Sequence, residues 1–229
     1  MVIRLFFSFL SFAILQSNQL DFGKIHIITT NDIHGMIGEQ EAAFMNPNFP
    51  PTIIGGSAYY KYVRVLEKKL PDSDQDILTL DGGNFFQGSP LGLADDGKTL
   101  ITWMNRIGYD ALVPGNYDFI SGAENLNELS KLSTFPFLYS NLDCNNCPLI
   151  NSNIKPYIIK EIQGVNIGII GIVNSKITEL VLSENLSETK AEKEVYSIKE
   201  WIPEIKSAGG KSVLTEMTIL TNFGLFLSG

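Results

Sequence analysis

Short apolar segments alternate with amphipathic segments from residue 24 onwards. The run Ile25 to Thr30 is short and β-branched, which is typical of a buried strand. Apolar residues recur at helical spacing between Ser57 and Leu70, and Ser57 is the predicted N-cap of that helix. The other predicted strands are 77–80, 111–113, 136–140, 156–162, 165–172 and 213–220, and the other predicted helices are 98–107, 123–132 and 193–207.

The order of these elements predicts the fold class. Repeated strand, loop and helix units with apolar strands indicate a layered α/β domain in which most strands pair in parallel. The runs Pro156 to Ile162 and Val165 to Ile172 flank Gln163-Gly164, which predicts a hairpin. In parallel sheets, functional side chains collect in the loops that follow the carboxyl ends of the strands.

Polar side chains do cluster in the loops after five of the predicted strands. In chain order the loops read Thr30-Asn31-Asp32-Ile33-His34-Gly35, Asp81-Gly82-Gly83-Asn84-Phe85-Phe86-Gln87-Gly88-Ser89, Pro114-Gly115-Asn116-Tyr117-Asp118-Phe119, Ser140-Asn141-Leu142-Asp143 and Thr221-Asn222-Phe223-Gly224. Each loop contains Asp, Asn or His. This distribution predicts a functional site at the carboxyl edge of the sheet.

Asp32 and His34 are the first candidates for metal ligands. The spacing D-x-H places both side chains on the same side of an extended backbone, so both can bind one divalent ion. A turn Asp followed by a surface His is the structural alternative. Asn116 follows Gly115 and can add an oxygen ligand, or it can be a turn residue that tolerates positive φ.

Composition narrows the function classes. Lys and Arg number 17 against 25 Asp and Glu, so the net charge is −8 over 229 residues. A surface this acidic repels a phosphate backbone, which argues against a nucleic-acid polymer as partner. An anionic small substrate requires bound cations or a local cluster of donors.

The two cysteines, Cys144 and Cys147, lie in a polar C-x-x-C segment. In an oxidising compartment such a pair most simply forms a local disulfide, whereas a zinc site needs two more ligands. Free thiols are the second alternative and a metal site is the third.

The N-terminus has the pattern of a signal peptide over residues 1–19. Arg4 supplies a positive charge, and the eleven residues from Leu5 to Leu15 are mostly apolar. That run is short for a membrane span, which needs about 20 residues. Ser17 is the best small residue for a cleavage site, and an uncleaved anchor is the alternative. We therefore expect a secreted, periplasmic or cell-surface protein with no other membrane association.

The ordered loop motifs resemble the 5'-nucleotidase group of calcineurin-like metallophosphoesterases. The resemblance runs from about Lys24 to Gly224. Besides the loop after the first strand, its most specific segments are Phe86-Gln87-Gly88-Ser89-Pro90, Gly108-Tyr109-Asp110-Ala111 through Pro114-Gly115-Asn116, and Phe135-Pro136-Phe137 through Ser140-Asn141-Leu142. It implies an α/β sandwich of two mixed β-sheets flanked by helices. It also implies hydrolysis of nucleoside monophosphates, UDP-sugars or cyclic nucleotides.

The same resemblance implies two divalent ions of the Mn, Zn, Mg or Ca type that activate a water for attack on phosphorus. It assigns metal ligands to Asp32, His34, Asn84, Asn116 and Asn222, catalytic positions to Tyr117 and Asp118, and phosphate contacts to Asn116 and Gln87. The implied partner is a small nucleotide or phosphoester.

Several of these positions depart from the family pattern. Family members have a metal-bridging Asp where this chain has Asn84, and a catalytic His where it has Tyr117. The Asp that orients this His is replaced by Ile120, and a metal-binding His by Asn222. The family's Gly-His-x-His motif and its C-terminal nucleotide-binding domain do not follow, so residues 24–229 are expected to be a C-terminally truncated catalytic domain.

Together these replacements predict impaired catalysis and at most one weakly held ion. Losing one acid–base or charge-stabilising group commonly costs about 10²–10⁴ in rate. Two alternatives stay open. The first alternative is a non-catalytic protein that binds a nucleotide or phosphate. The second is a truncated or frameshifted gene product.

Overall fold

The computed structural model describes residues 25–70, 77–144, 146–151 and 153–217. The predicted signal peptide, residues 218–220 of the last predicted strand and the candidate ligand Asn222 lie outside these ranges. The strands are β1 His26–Thr30, β2 Gln40–Glu41, β3 Thr52–Ile53, β4 Ile77–Asp81, β5 Ala111–Leu112, β6 Phe137–Leu138, β7 Leu142–Asp143, β8 Ile154–Lys155, β9 Tyr157–Ile162, β10 Val165–Ile172, β11 Lys190–Ala191 and β12 Ser212–Met217.

Helices connect most of the long strands. They are α1 Gly56–Lys69, α2 Pro90–Leu93, α3 Lys98–Ile107, α4 Ala123–Leu132, α5 Ile177–Leu180, α6 Ser183–Leu186 and α7 Glu194–Ser207, with a 3-10 helix over Asn116–Phe119. The predicted bounds of α3 and α4 are confirmed to the residue. The predicted strands 111–113 and 136–140 are confirmed in place as the shorter strands β5 and β6. The other two-residue strands and the four-residue helices were not predicted, because such short segments carry no measurable periodicity.

The predicted N-cap of α1 was wrong. The helix begins at Gly56, and its N-cap is Gly55, without any side-chain cap. Gly56 N donates to the carbonyl of Ile37 at 2.8 Å, while Trp103 Nε1 donates to the carbonyl of Gly56 at 3.2 Å. These contacts accompany a helix start two residues earlier than an N-cap at Ser57 predicts.

Two sheets form the centre of the domain. The larger has the strand order β1-β4-β5-β6-β8, and the smaller has the order β12-β10-β9. Every strand pair in the larger sheet is parallel, whereas β10 pairs in parallel with β12 and antiparallel with β9. The predicted parallel pairing and the β9–β10 hairpin are therefore confirmed. Only the smaller sheet is mixed within the described residues, although the resemblance implied two mixed sheets.

The two sheets meet where β6 approaches β10. Ser140 N donates to the carbonyl of Gly171 at 2.8 Å. The buried Asn141 side chain donates to Val173 O at 2.8 Å and accepts from Val173 N at 3.0 Å. These bonds satisfy polar backbone groups at a buried junction, where an unpaired group costs about 1–3 kcal/mol.

The cysteine pair forms the predicted local disulfide between Cys144 and Cys147. It closes a four-residue turn directly after β7. Within the part of the chain that the structure describes, no helix is long and apolar enough to cross a membrane.

Candidate active site

The loops that follow β1 and β4 pair with each other through their backbones. Asp32 N donates to Gly83 O at 2.9 Å, and His34 N donates to Asn84 O at 2.9 Å. Gly35 N continues the series to Phe85 O at 2.8 Å. The ladder brings Asp32, His34 and Asn84 together at the carboxyl edge of the larger sheet, as the sequence predicted for a parallel arrangement.

Three non-glycine residues of these loops have left-handed backbone conformations. The φ angles are 52° for Asp32, 50° for His34 and 57° for Asn84. Asn, Asp and His are the non-glycine residues that occupy this region most readily, but it is still uncommon for them. Such residues concentrate at functional sites, where the surrounding structure holds them in place.

Asp118 organises the loop after β4 and the loop after β5. Its carboxylate is fully buried and accepts from Asn84 N at 2.7 Å, Phe85 N at 2.9 Å and Gly115 N at 2.9 Å. Burial raises the pKa of Asp118 to about 7, against the opposing effect of these hydrogen bonds. In this arrangement Asp118 is a positioning residue, because its side chain contacts backbone groups and does not reach the open face of the site.

The carboxylate of Asp32 has an N–H partner on each oxygen. Asn84 Nδ2 donates to Oδ1 at 2.7 Å, and Asn31 Nδ2 donates to Oδ2 at 2.7 Å. His34 Nε2 lies 3.6 Å from Oδ1. The role of Asn31 was missed from the sequence, because an Asn beside an Asp is common in polar loops.

The amide of Asn84 is oriented by both of its partners. Its Oδ1 accepts from Tyr117 N at 3.0 Å while its Nδ2 donates to Asp32. A backbone N–H only donates and a carboxylate only accepts, so the amide nitrogen must face Asp32. Asn84 is 7% exposed, which leaves little freedom to rotate. Its assignment as a metal ligand stays a prediction that requires the amide to turn over.

His34 is oriented by the loop after β4. Its Nδ1 lies 2.5 Å from the carbonyl oxygen of Gln87. A carbonyl only accepts, so Nδ1 is the donor in this contact, and Nε2 is the ring nitrogen that faces Asp32 and the position of a metal. The ring of Tyr117 meets the His34 ring edge-on with centroids 5.2 Å apart.

Three further candidates lie next to these residues, namely Gln87, Asn116 and Tyr117. The side chain of Gln87 is buried and donates to Ser121 Oγ at 2.7 Å, so it faces Ser121. Asn116 is partly exposed at the first turn of the 3-10 helix, next to Tyr117, which is 46% exposed. The phosphate contacts of Asn116 and Gln87 stay predictions, and so does the catalytic role of Tyr117.

A second buried carboxylate, Asp81, lies beneath the site. Thr30 Oγ1 donates to Oδ2 at 2.5 Å and Gly83 N donates to Oδ1 at 2.8 Å. Tyr109 extends the network through a 2.8 Å hydrogen bond with Thr30. Burial raises the pKa of Asp81 to about 8. Asp81 opens the polar motif after β4, so its position was visible in the sequence, but its burial was not.

The donor set that the structure describes does not fit a two-metal centre. Among the described residues, no group of three or more His, Cys, Asp and Glu side chains is arranged to hold a metal ion. Asp32 and His34 contribute one carboxylate and one imidazole, while Asn84 directs N–H groups toward the same space. Two dications need several anionic oxygens to offset their repulsion, and these side chains supply one charge.

Comparison with known proteins identifies the family. A family model described as Calcineurin-like phosphoesterase matches residues 25–220. The chain belongs to the calcineurin-like phosphoesterase family. Members use divalent metals, and the resemblance read from the loop motifs is confirmed.

Known proteins are similar to the chain along most of its length. It is 26% identical to the Silent protein UshA(0) of Salmonella typhimurium, over 87% of this chain and 34% of that protein. It is 27% identical to the 5'-nucleotidase of Rattus norvegicus, over 83% of this chain and 33% of that protein. The chain therefore spans about a third of the length of these relatives.

A solved structure agrees with the fold. The crystal structure of a 5'-nucleotidase precursor from Thermus thermophilus superposes with a TM-score of 0.71 at 21% identity, covering 84% of this chain and 36% of that one. This likeness confirms the α/β sandwich of the family.

Proposed function

We propose that the chain is a 5'-nucleotidase-type phosphoesterase domain whose catalysis is impaired, with small nucleotides or phosphoesters as its ligands. The family and the named relatives support the substrate class. The observation that carries the impairment is the Asn84 amide, which directs N–H groups at Asp32.

Charge is the physical reason for the impairment. A two-metal phosphoesterase needs anionic ligands that hold both ions while they activate water and neutralise phosphate oxygens. Asp32 and His34 are able to hold one ion weakly, because a single carboxylate and a single imidazole leave most coordination positions to water. We propose at most one such ion, with Asn116 and Asn222 as additional oxygen ligands.

We propose that Tyr117 occupies the position where phosphoester hydrolysis needs a general acid. Its ring is exposed beside His34, but a phenol hydroxyl is a weaker acid than an imidazolium and so a poorer proton donor to a leaving group. Replacing a tuned general acid by such a group costs about 10²–10⁴ in rate.

Assays for hydrolysis test this proposal. The purified wild type and the Asp32→Asn variant are each incubated with Mn²⁺ and either AMP or bis(p-nitrophenyl) phosphate. The assay measures phosphate released from AMP and p-nitrophenol released from the diester. We expect the same low rates for the two proteins, because activity of a contaminating enzyme is unaffected by the substitution. Turnover of about 1 s⁻¹ or more that disappears in Asp32→Asn would contradict the proposal.

Binding without turnover is the second candidate function. It is favoured by the backbone ladder and by Asp118, which hold the loops in place and leave His34, Asn116 and Tyr117 partly or largely exposed. Calorimetry with AMP and inorganic phosphate at millimolar concentration is the test. We expect heat of binding that is lost in Asn116→Ala, and its absence with every ligand would remove this candidate.

We also propose export to the cell surface, periplasm or medium. The basic start and apolar run 5–15 support it, and a local disulfide is typical of oxidising compartments. N-terminal sequencing of protein secreted by an expressing cell tests it, with cleavage after residue 17 or 19 as the expected result.

A further inference from the structure

The contact between Asn84 and Asp32 indicates how the site is held together. Asp32 accepts one side-chain N–H on each oxygen, from Asn84 and from Asn31, each at 2.7 Å. Hydrogen bonds to a carboxylate are stronger than those between neutral groups, so two of them stabilise the Asp32 carboxylate without a cation at that position. The two donors differ in freedom, because Asn84 is buried and Asn31 is exposed.

Hydrogen bonds between protein groups hold the backbone around this contact. The β1 and β4 loops are joined by three backbone hydrogen bonds, and Asp118 ties Asn84 N and Phe85 N to the loop after β5. The amide oxygen of Asn84 is engaged by Tyr117 N at 3.0 Å. The left-handed conformations of Asp32 and Asn84 are therefore determined by these bonds.

We propose that the Asn84 amide takes the place of a cation beside Asp32, so that the folded state of this site is independent of divalent metal. The inference rests on the placement of the proposed site and not on its catalytic impairment. Its corollary is that the folded state of this site depends on a divalent metal in the variant Asn84→Asp. Such an aspartate still accepts from Tyr117 N, but its other oxygen meets Asp32 at the distance of a hydrogen bond, with no proton between them.

Thermal unfolding tests the proposal on the wild type, Asn84→Asp and Asn31→Asp, each in EDTA and in millimolar Mn²⁺. The wild type should unfold at the same Tm in both conditions. Asn84→Asp should lose roughly 5 °C or more in EDTA and regain most of it with Mn²⁺. Asn31→Asp is the matched control, since it adds the same charge beside the same carboxylate but is free to rotate into water. It should change Tm little.

Two outcomes would overturn the proposal. One is a wild type that Mn²⁺ stabilises as much as the variant, and the other is an Asn84→Asp variant that neither loses stability in EDTA nor binds Mn²⁺. If Asn84→Asp fails to fold in both conditions, electron paramagnetic resonance titration of Mn²⁺ decides. Wild-type binding of Mn²⁺ that is weaker than about 0.1 mM, or equally tight in Asp32→Asn, supports the proposal, and tighter binding that Asp32→Asn loses contradicts it. These readings concern stability and metal binding, so they are separate from the turnover assay.

Discussion

The two sheets of the domain use their ends and faces differently. The five-stranded sheet sends the loops after β1, β4 and β5 into one polar cluster, in which the buried Asp118 accepts from three backbone N–H groups. The three-stranded sheet packs by shape. Its strand β10 brings Gly171 against Leu138 of β6 and Gly168 against Ile205 of α7.

This difference indicates which kind of change each region tolerates. Hydrogen bonds in the polar cluster are directional, and each buried N–H that loses its acceptor costs about 1–3 kcal/mol. The apolar contacts of Gly171 and Gly168 have no preferred direction but leave no spare volume, so an added methyl group is the damaging change there. The polar cluster should therefore be sensitive to the loss of an acceptor, and the junction to the gain of a carbon.

The largest effect is expected from Asp118→Ala. It leaves three buried N–H groups of Asn84, Phe85 and Gly115 without their acceptor, which should lower the free energy of unfolding by about 3–5 kcal/mol. Urea unfolding measures it, with Glu128→Ala on the exposed face of α4 as the control. A loss below about 1 kcal/mol would show that the cluster does not depend on this carboxylate.

A smaller effect is expected from Gly171→Ala at the junction. A Cβ there would overlap the Cβ of Leu138 and lie 2.8 Å from the Leu138 carbonyl oxygen, and neither atom is the mobile end of a side chain. We expect a loss of about 1–3 kcal/mol in the free energy of unfolding. Gly38→Ala is the matched control, because no atom lies within 4 Å of the added carbon. Equal stability of the two variants would contradict close packing between the sheets.

The smallest effect, counted per pH unit, is expected from the titration of Asp81. Burial raises its pKa to about 8 in the folded state, whereas the unfolded value is about 4. The folded chain therefore binds the proton more tightly, so this stabilisation is full below about pH 4 and is lost as the pH rises to about 8. The slope is at most about 1.4 kcal/mol per pH unit.

Urea unfolding at several pH values between 5 and 8 measures this slope, with Asp81→Asn as the comparison. The variant should show a shallower decline, and the residual slope belongs in part to Asp118, whose pKa is also raised by burial. An unchanged slope in Asp81→Asn would mean that the carboxyl is ionised in the folded protein.

Much of the architecture could be predicted from local pattern. The bounds of α3 and α4, the β9–β10 hairpin and the cysteine pair depend on residues that are neighbours in the chain, so periodicity and spacing were enough. The start of α1 was wrong because a contact with Trp103, 47 residues away, outweighs the intrinsic preference of Ser57 as a cap.

The candidate site divides along the same line. The sequence by itself determined that Asp32, His34 and Asn84 follow buried strands, and hence that they meet at one edge of a parallel sheet. Only the tertiary structure decided that Asp118 lies buried beneath the loops and that Asn84 directs N–H groups at Asp32. Those outcomes depend on hydrogen bonds between residues 33 to 52 positions apart, and the choice of partner is made by distance and direction in the folded chain.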